Sequence, residues 1–270
     1  MARGFVLGAT AGRTTLNGEG LQHEDGHSHM AAMSVPNVVA YDVSFAFELA
    51  AVIEDGIRRM FENNENIYYY ITLQNEDYPM PPMPEGARDG VLRGIYKFKN
   101  AEKKLKHHVQ LFGSGSIMMQ VLRAQALLAE KFDVSADVWG VTSYQQLRND
   151  GMSCERHNRL NPEDEPQVPY LTKVLTGVEG PFIAASDYIK ATADVVARFI
   201  PGRFVPLGTD GFGMSDTREA LRRHFEVDAE SIVVGALDGL RQDGKLSGKD
   251  VAAAIASLGI DRGKVEPMKI

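Results

Sequence analysis

Apolar residues recur along the chain with two periods. Phe45, Leu49, Ile53, Ile57 and Met60 fall at helical spacing, which predicts a helix with one stripe turned to a core. Ile67–Leu73, IYYYITL, is a run rich in aromatic and β-branched residues and predicts a buried strand. A short strand is predicted over Asn37–Tyr41, with Asp42 placed to cap the helix that follows. The residues before it read as loop.

The second part alternates in the same way. Val109–Phe112 predicts a strand that runs into GSGS, and Ile117, Val121, Ala124, Leu128 and Phe132 mark a helix face. Further strands are predicted at Val138–Val141, Phe182–Ala185 and Phe204–Leu207, with a helix through Val195 and Phe199 between the last two. Asp216 and Glu219 form a capping-box pair ahead of Ala220-Leu221. Ile232–Leu240 predicts a helix, and Ser247 opens a last one that Gly259 can stop. Strands alternating with helices predict α/β layers on a mostly parallel sheet. No internal repeat is present, and the proline-rich YPMPPMPEG, Tyr78–Gly86, is the candidate domain boundary.

The 270 residues suit one large domain or two modest ones with a real core. No apolar run reaches the ~20 residues of a membrane span, and Met1-Ala2-Arg3 does not open a signal-peptide pattern. The single cysteine, Cys154, rules out an internal disulfide and leads us to expect a reducing compartment, the cytoplasm. A net charge of −7 argues against nucleic acid as the main partner. The cluster Lys103, Lys104, Lys106, His107, His108 reads as a solvated loop before a strand.

The densest chemistry lies at GEGLQHEDGHSH, residues 18–29, with His23, His27 and His29 among Glu19, Glu24 and Asp25. Imidazole and carboxylate can ligate zinc or iron, but the spacing is not HExxH and Gly26 interrupts any helix there. A polar catalytic loop is the reading we prefer over a metal site or a purely structural loop, because so many ionisable groups are costly to bury without purpose. GSGS reads as a tight strand-to-helix turn, being neither a complete GxGxxG nor a P-loop. In LGTDGFG, Leu207–Gly213, the glycines permit sharp turns and Asp210 can brace the loop. Cys154 near His157 has no companion oxyanion hole and reads as structural.

At GRTTLNGEGLQHEDGHSH, residues 12–29, the chain resembles the homodimeric bacterial pyruvate dehydrogenases, relatives of transketolase. The likeness continues through YYYIT, MPEGA, GSGSI, DVWGVTS, CER, LGTDGFGMSD and RRHFEVDA. It implies the C-terminal part of a pyrimidine-binding domain over residues 1–82 and a transketolase C-terminal-like α/β domain over residues 83–270, with the other domains upstream. It implies oxidative decarboxylation of pyruvate with thiamine diphosphate and Mg2+, acetyl transfer to the lipoyl domain of the dihydrolipoamide acetyltransferase component, and a homodimer. Glu19 and His23 match the family's active-site glutamate and histidine of GEGLQH. His29 matches the histidine of the transketolase loop GEDGPTH, and His27 replaces its proline; for both, loop structure is the default. No cofactor-binding or metal-ligating residue is assigned to this chain, so by analogy it should be inactive alone. The alternatives are a non-catalytic dimerisation or assembly module, and a transketolase-like ketol transfer, against which LQHEDGHSH departs from the transketolase loop.

Overall fold

The computed structural model describes residues 3–9 and 11–270. Met1 and Ala2, at the start of the stretch read above for a signal peptide, lie outside the described residues. The chain opens with a strand, β1 (Phe5–Gly8), where a loop was expected. It continues through α1 (Ser28–Met33), β2 (Val38–Asp42), α2 (Ala46–Ile57) and β3 (Tyr68–Thr72). These strands form a parallel sheet in the order β1-β3-β2. Val39, Tyr41, Tyr69 and Ile71 share one core with Val52 and Met60.

Asp42 does not cap α2. Glu48 does so from inside the helix: its carboxylate accepts the backbone N–H groups of Ser44 and Phe45, and also the Tyr96 hydroxyl. That satisfies donors a helix start otherwise leaves orphaned. Asp42 turns instead toward Thr72 and Gln74.

The second sheet is built from β4 (Ile95–Lys99), β5 (His107–Gly113), β6 (Val134–Val141), β7 (Phe182–Ala185) and β8 (Phe204–Leu207). Its order is β4-β6-β5-β7-β8, parallel except for β4 against β6. Side chains alternate across it as the pleat requires. Val109, Leu111 and Ile183 face a core with α4 (Met118–Lys131) and α9 (Ala229–Gln242). Phe112, Phe182 and Ala184 face the opposite core with α5 (Tyr144–Leu160) and α6 (Tyr170–Leu175). A sheet covered on both faces in this way is the α/β architecture expected from the sequence.

The remaining helices are α3 (Arg88–Arg93), α7 (Ala191–Asp194), α8 (Arg218–His224) and α10 (Gly248–Ser257). The helix expected through Val195 and Phe199 is broken into α7 and a 3-10 turn at Ala197–Phe199. The cap of α8 is Thr217, whose hydroxyl accepts the Ala220 N–H, rather than Asp216. At the last helix, Ser247 and Asp250 form a capping box, and Gly259 follows with φ +65.

The free edge of β2 sits against the segment that follows β6. The Asp42 N–H donates to Thr142 O at 2.8 Å. Gln145 binds both Ala40 N (2.7 Å) and Val38 O (2.9 Å), and Ser143 Oγ donates to Ala40 O at 2.6 Å. Ser114 and Ser186, which follow β5 and β7, line the same buried seam as Asp42 and Thr142.

Candidate active site

The loop from Ala11 to His27 joins β1 to α1 across this seam. Its stem is fastened by Asp187, which follows β7. The Asp187 carboxylate accepts four hydrogen bonds: Thr14 N (2.9 Å), Thr14 Oγ1 (2.7 Å), Thr15 N (3.1 Å) and Thr15 Oγ1 (2.6 Å). Gly12, at φ +90, lets it approach; a Cβ there would lie 2.1 Å from Asp187 Oδ2. Burial pushes the Asp187 carboxyl up, and the Thr15 and Thr14 hydroxyls with Arg222 pull it back. Thr15 Oγ1 also meets Ser116 Oγ at 2.5 Å, and Arg218 Nε donates to Thr15 O at 2.8 Å.

Arg13 fixes the far side. It is buried, and its guanidinium donates to the carbonyls of Thr209, Gly211 (2.6 Å) and Glu24 (3.4 Å). It thereby ties the loop to Leu207–Gly213, where Asp210 accepts Lys190 N–H at 3.4 Å and so does brace its loop. Gly26 passes directly beneath Arg13, leaving no room for a side chain, and its carbonyl accepts Ile189 N–H at 2.9 Å.

Between these anchors the chain rises to the surface. Leu21–His23 form one 3-10 turn, closed by His23 N–H to Gly20 O at 3.0 Å. Glu19 and His23 are both exposed. Leu21 beside them is 59% exposed, and Phe212 on the neighbouring loop is 80% exposed. The two expected residues thus stand free in solvent on a loop held rigidly from below.

The other members of the stretch have different duties. Asp25 receives the N–H groups of His27 (3.1 Å) and Ser28 (3.0 Å) and the Ser28 hydroxyl, so it holds the turn that leads into α1. His29 is buried with Nε2 3.0 Å from Thr72 Oγ1 and its ring edge-on to Tyr188. Burial lowers its pKa to about 4, so it is neutral at physiological pH. His27 is exposed. Among the described residues no group of three or more His, Cys, Asp and Glu side chains is arranged to hold a metal.

Two acidic groups at this place, Glu24 of the ionisable stretch and Asp42 expected as a helix cap, were given no site role from the sequence. Glu24 is buried against Gly213, and neither of its carboxyl oxygens has a hydrogen-bond partner among the described residues. Burial, then the charge of Asp187, raises its pKa to about 8, with Arg13 opposing and Glu19 adding. Asp42 is raised to about 7 by burial, against bonds from Thr72 and Gln74. Their one sequence signal is a carboxylate bordered by residues that fold inward. The GSGS segment is the turn expected, with Gly115 at φ +51 directly against the Asp42 carboxylate. Cys154 is buried on α5, and burial raises its thiol pKa, so it is not an activated nucleophile.

Residues 94–228 match the family described as "Transketolase-like TK C-terminal domain", and residues 1–81 match "Pyruvate dehydrogenase E1 component middle domain". The chain belongs to the transketolase-like family. It is similar over nearly its whole length to the pyruvate dehydrogenase E1 component of Escherichia coli (strain K12), an enzyme. The two are 51% identical over 268 residues, 98% of this chain and 30% of that protein. Among solved structures, a transketolase mutant from Pichia stipitis superposes with a TM-score of 0.65 at 14% identity, covering 89% of this chain and 31% of that one. A split-gene transketolase, described as an inactive beta4 tetramer, superposes with a TM-score of 0.58 at 16% identity, covering 88% of this chain and 66% of its own. These two likenesses concern the fold. The chain spans about 30% of the length of the curated relatives it matches.

Proposed function

We propose that this chain forms one wall of the active site of a pyruvate dehydrogenase E1 component, and that Glu19 and His23 are its catalytic residues. The observation that carries the reading is the exposure of this pair on a loop whose base is locked by Asp187 and Arg13. A rigid base matters because a catalytic group displaced by about 1 Å can cost ~10²-fold in rate. His23 donates a hydrogen bond or a proton to the keto oxygen of pyruvate as negative charge gathers there. Glu19, four positions earlier, holds the imidazole in register or shares its proton.

Thiamine diphosphate with Mg2+ supplies the electron sink for decarboxylation in such enzymes. We assign no residue of this chain to holding that group. The reading assigns its grip to segments outside these 270 residues. The acetyl acceptor on this reading is the lipoyl domain of a dihydrolipoamide acetyltransferase, the assembly is a homodimer and the compartment is the cytoplasm. Among the described residues no helix is long and apolar enough to cross a membrane. We place the domain division at residues 82 and 83, in the extended proline-rich segment between the two family matches.

The test is steady-state turnover of the full-length enzyme with His23→Ala. A loss of about 10²–10⁴-fold is expected; near-normal turnover removes His23 from the mechanism. A second reading, an assembly module without its own chemistry, is favoured by β1, which lies at the sheet edge with Val6 and Leu7 half exposed. Calorimetry separates the two parts of the claim. This chain alone should show no binding of thiamine diphosphate with Mg2+, and tight binding would overturn the assignment of the cofactor grip elsewhere.

A further inference from the structure

The 3-10 turn that presents His23 is short and exposed. Besides the bond from His23 N–H to Gly20 O, the Glu24 N–H donates to Leu21 O at 3.2 Å and the Asp25 N–H to His23 O at 2.9 Å. Such bonds have poorer geometry than those of an α-helix, and a lone turn in water opens easily. Gly18 and Gly20 just before it add freedom. A fixed His23 therefore needs support from another part of the chain.

The segment Gly213–Asp216 lies along this turn. The Gly18 N–H donates to Asp216 O at 3.1 Å, immediately before Glu19. Immediately after His23, Gly213 packs on Glu24. A Cβ at Gly213 would overlap Glu24 Cβ, lie 2.8 Å from Glu24 Cγ and 3.5 Å from Leu21 O. Gly213 thus covers both residues of the hydrogen bond that closes the turn. Its φ lies outside the left-handed range, unlike that of Gly211 at +105. The contact with Glu24, and not the backbone conformation, is what demands a glycine there. Glu24 is held by this packing, since its carboxyl oxygens have no hydrogen-bond partner among the described residues.

The buttress is itself fixed. Thr209 N–H donates to Tyr188 O at 2.9 Å, and Thr209 Oγ1 to Asp187 O at 3.0 Å. Arg13 binds the Thr209 and Gly211 carbonyls, and the Pro267 carbonyl lies against Gly211 from the other side. Asp187 and Arg13 therefore anchor both the stem of the site loop and the loop that leans on it. We propose that Gly213 is a positioning residue of the site, packed across Leu21 and Glu24 so that the turn holds His23 in its working place. The inference rests on the catalytic reading of His23.

The test is made in the full-length enzyme with Gly213→Ala. Carbon atoms pack at ~3.5–4.0 Å, so the new methyl group must drive the turn and the loop apart by about 1 Å. A shift of that size should lower kcat roughly 10²-fold, with the KM for pyruvate unchanged, as befits a group that acts only in the transition state. Adding Glu24→Gly to Gly213→Ala moves the glycine to the other side of the contact and removes no side-chain hydrogen bond. It should restore kcat by roughly tenfold. Amide hydrogen exchange should quicken at His23 and Glu24 in Gly213→Ala and slow again in the double variant. Parental kcat in Gly213→Ala beside a slow His23→Ala, a double variant no faster than Gly213→Ala, or unchanged exchange at the turn would each overturn the proposal. The exchange measurement separates it from the reading it rests on: if His23→Ala turns over normally, the catalytic role fails, and the amides of the turn still report whether Gly213 holds it.

Discussion

Replacing Asp187 with alanine removes the acceptor of four hydrogen bonds in one step. The N–H groups of Thr14 and Thr15 are buried and lose their partner. An orphaned buried donor costs about 1–3 kcal/mol. The Thr14 hydroxyl is a third orphan, whereas the Thr15 hydroxyl keeps Ser116. The sum is offset by removal of a carboxylate that was itself costly to bury, as its raised pKa records. A net loss of about 2–5 kcal/mol follows, a large part of the ~5–15 kcal/mol a domain commands. Asp187→Asn retains one acceptor oxygen for the Thr14 pair and should lose less, about 1–3 kcal/mol. The assay is urea unfolding followed by far-ultraviolet circular dichroism, with amide exchange at Thr14 and Thr15 as the local readout. An alanine variant within ~0.5 kcal/mol of the parent, or one whose effect adds fully to that of Thr15→Val, would refute the idea that this carboxylate anchors the loop.

Other expectations follow from the same geometry. Glu24 and Glu48 have folded-state pKa values of about 8 and about 7, above the ordinary 4.5. Their stabilising contribution is therefore complete below about pH 4.5 and is lost as pH rises through 7 to 8. Glu24→Gln should flatten that fall and leave the variant more stable than the parent at pH 8.5, as urea midpoints across pH will report. Gly115→Ala forces a side chain into φ +51 and within 3.0 Å of both Asp42 carboxylate oxygens, so a loss of about 1–3 kcal/mol is expected in the same assay. Arg13→Met should leave the Thr209 and Gly211 carbonyls without their donor and speed proteolysis within residues 17–23, while the parent loop resists.

Much of the fold was legible because its signals are local. Val109, Leu111 and Phe112 alternate between two cores, and Ile117, Val121, Ala124 and Leu128 keep one helical stripe. What escaped notice had weak local patterning. FVLG is only four residues at a sheet edge, and IYKFK pairs antiparallel at the other sheet's edge with its polar end exposed. The long α5 is mostly polar, and its buried stripe, Tyr144, Leu147, Gly151 and Cys154, carries few large aliphatic side chains. At α8 the expected cap, Asp216, lies one residue before the actual one, Thr217, a residue of similar capping propensity.

The site divides in the same way. The exposed, ionisable character of Glu19 and His23 follows from a glycine-flanked polar stretch. The burial of Glu24 does not, because it depends on Gly213, and Asp42 is covered by Thr72, Gln74 and Gly115, all distant in sequence. Nothing near Thr14 in sequence signals that Asp187 will grip it. Histidines of one short stretch were likewise sent to different environments: His23 and His27 to solvent, His29 to the core between Thr72 and Tyr188.

The most direct measurement is the single-turnover rate of carbon dioxide release from pyruvate by the full-length enzyme carrying Glu19→Gln and His23→Gln, separately and together. If the two side chains act as one unit at the reacting carbon, each change lowers the rate about 10²-fold or more and the pair costs little beyond the worse single change. Parental rates in either single variant would contradict the assignment of this loop to the chemistry.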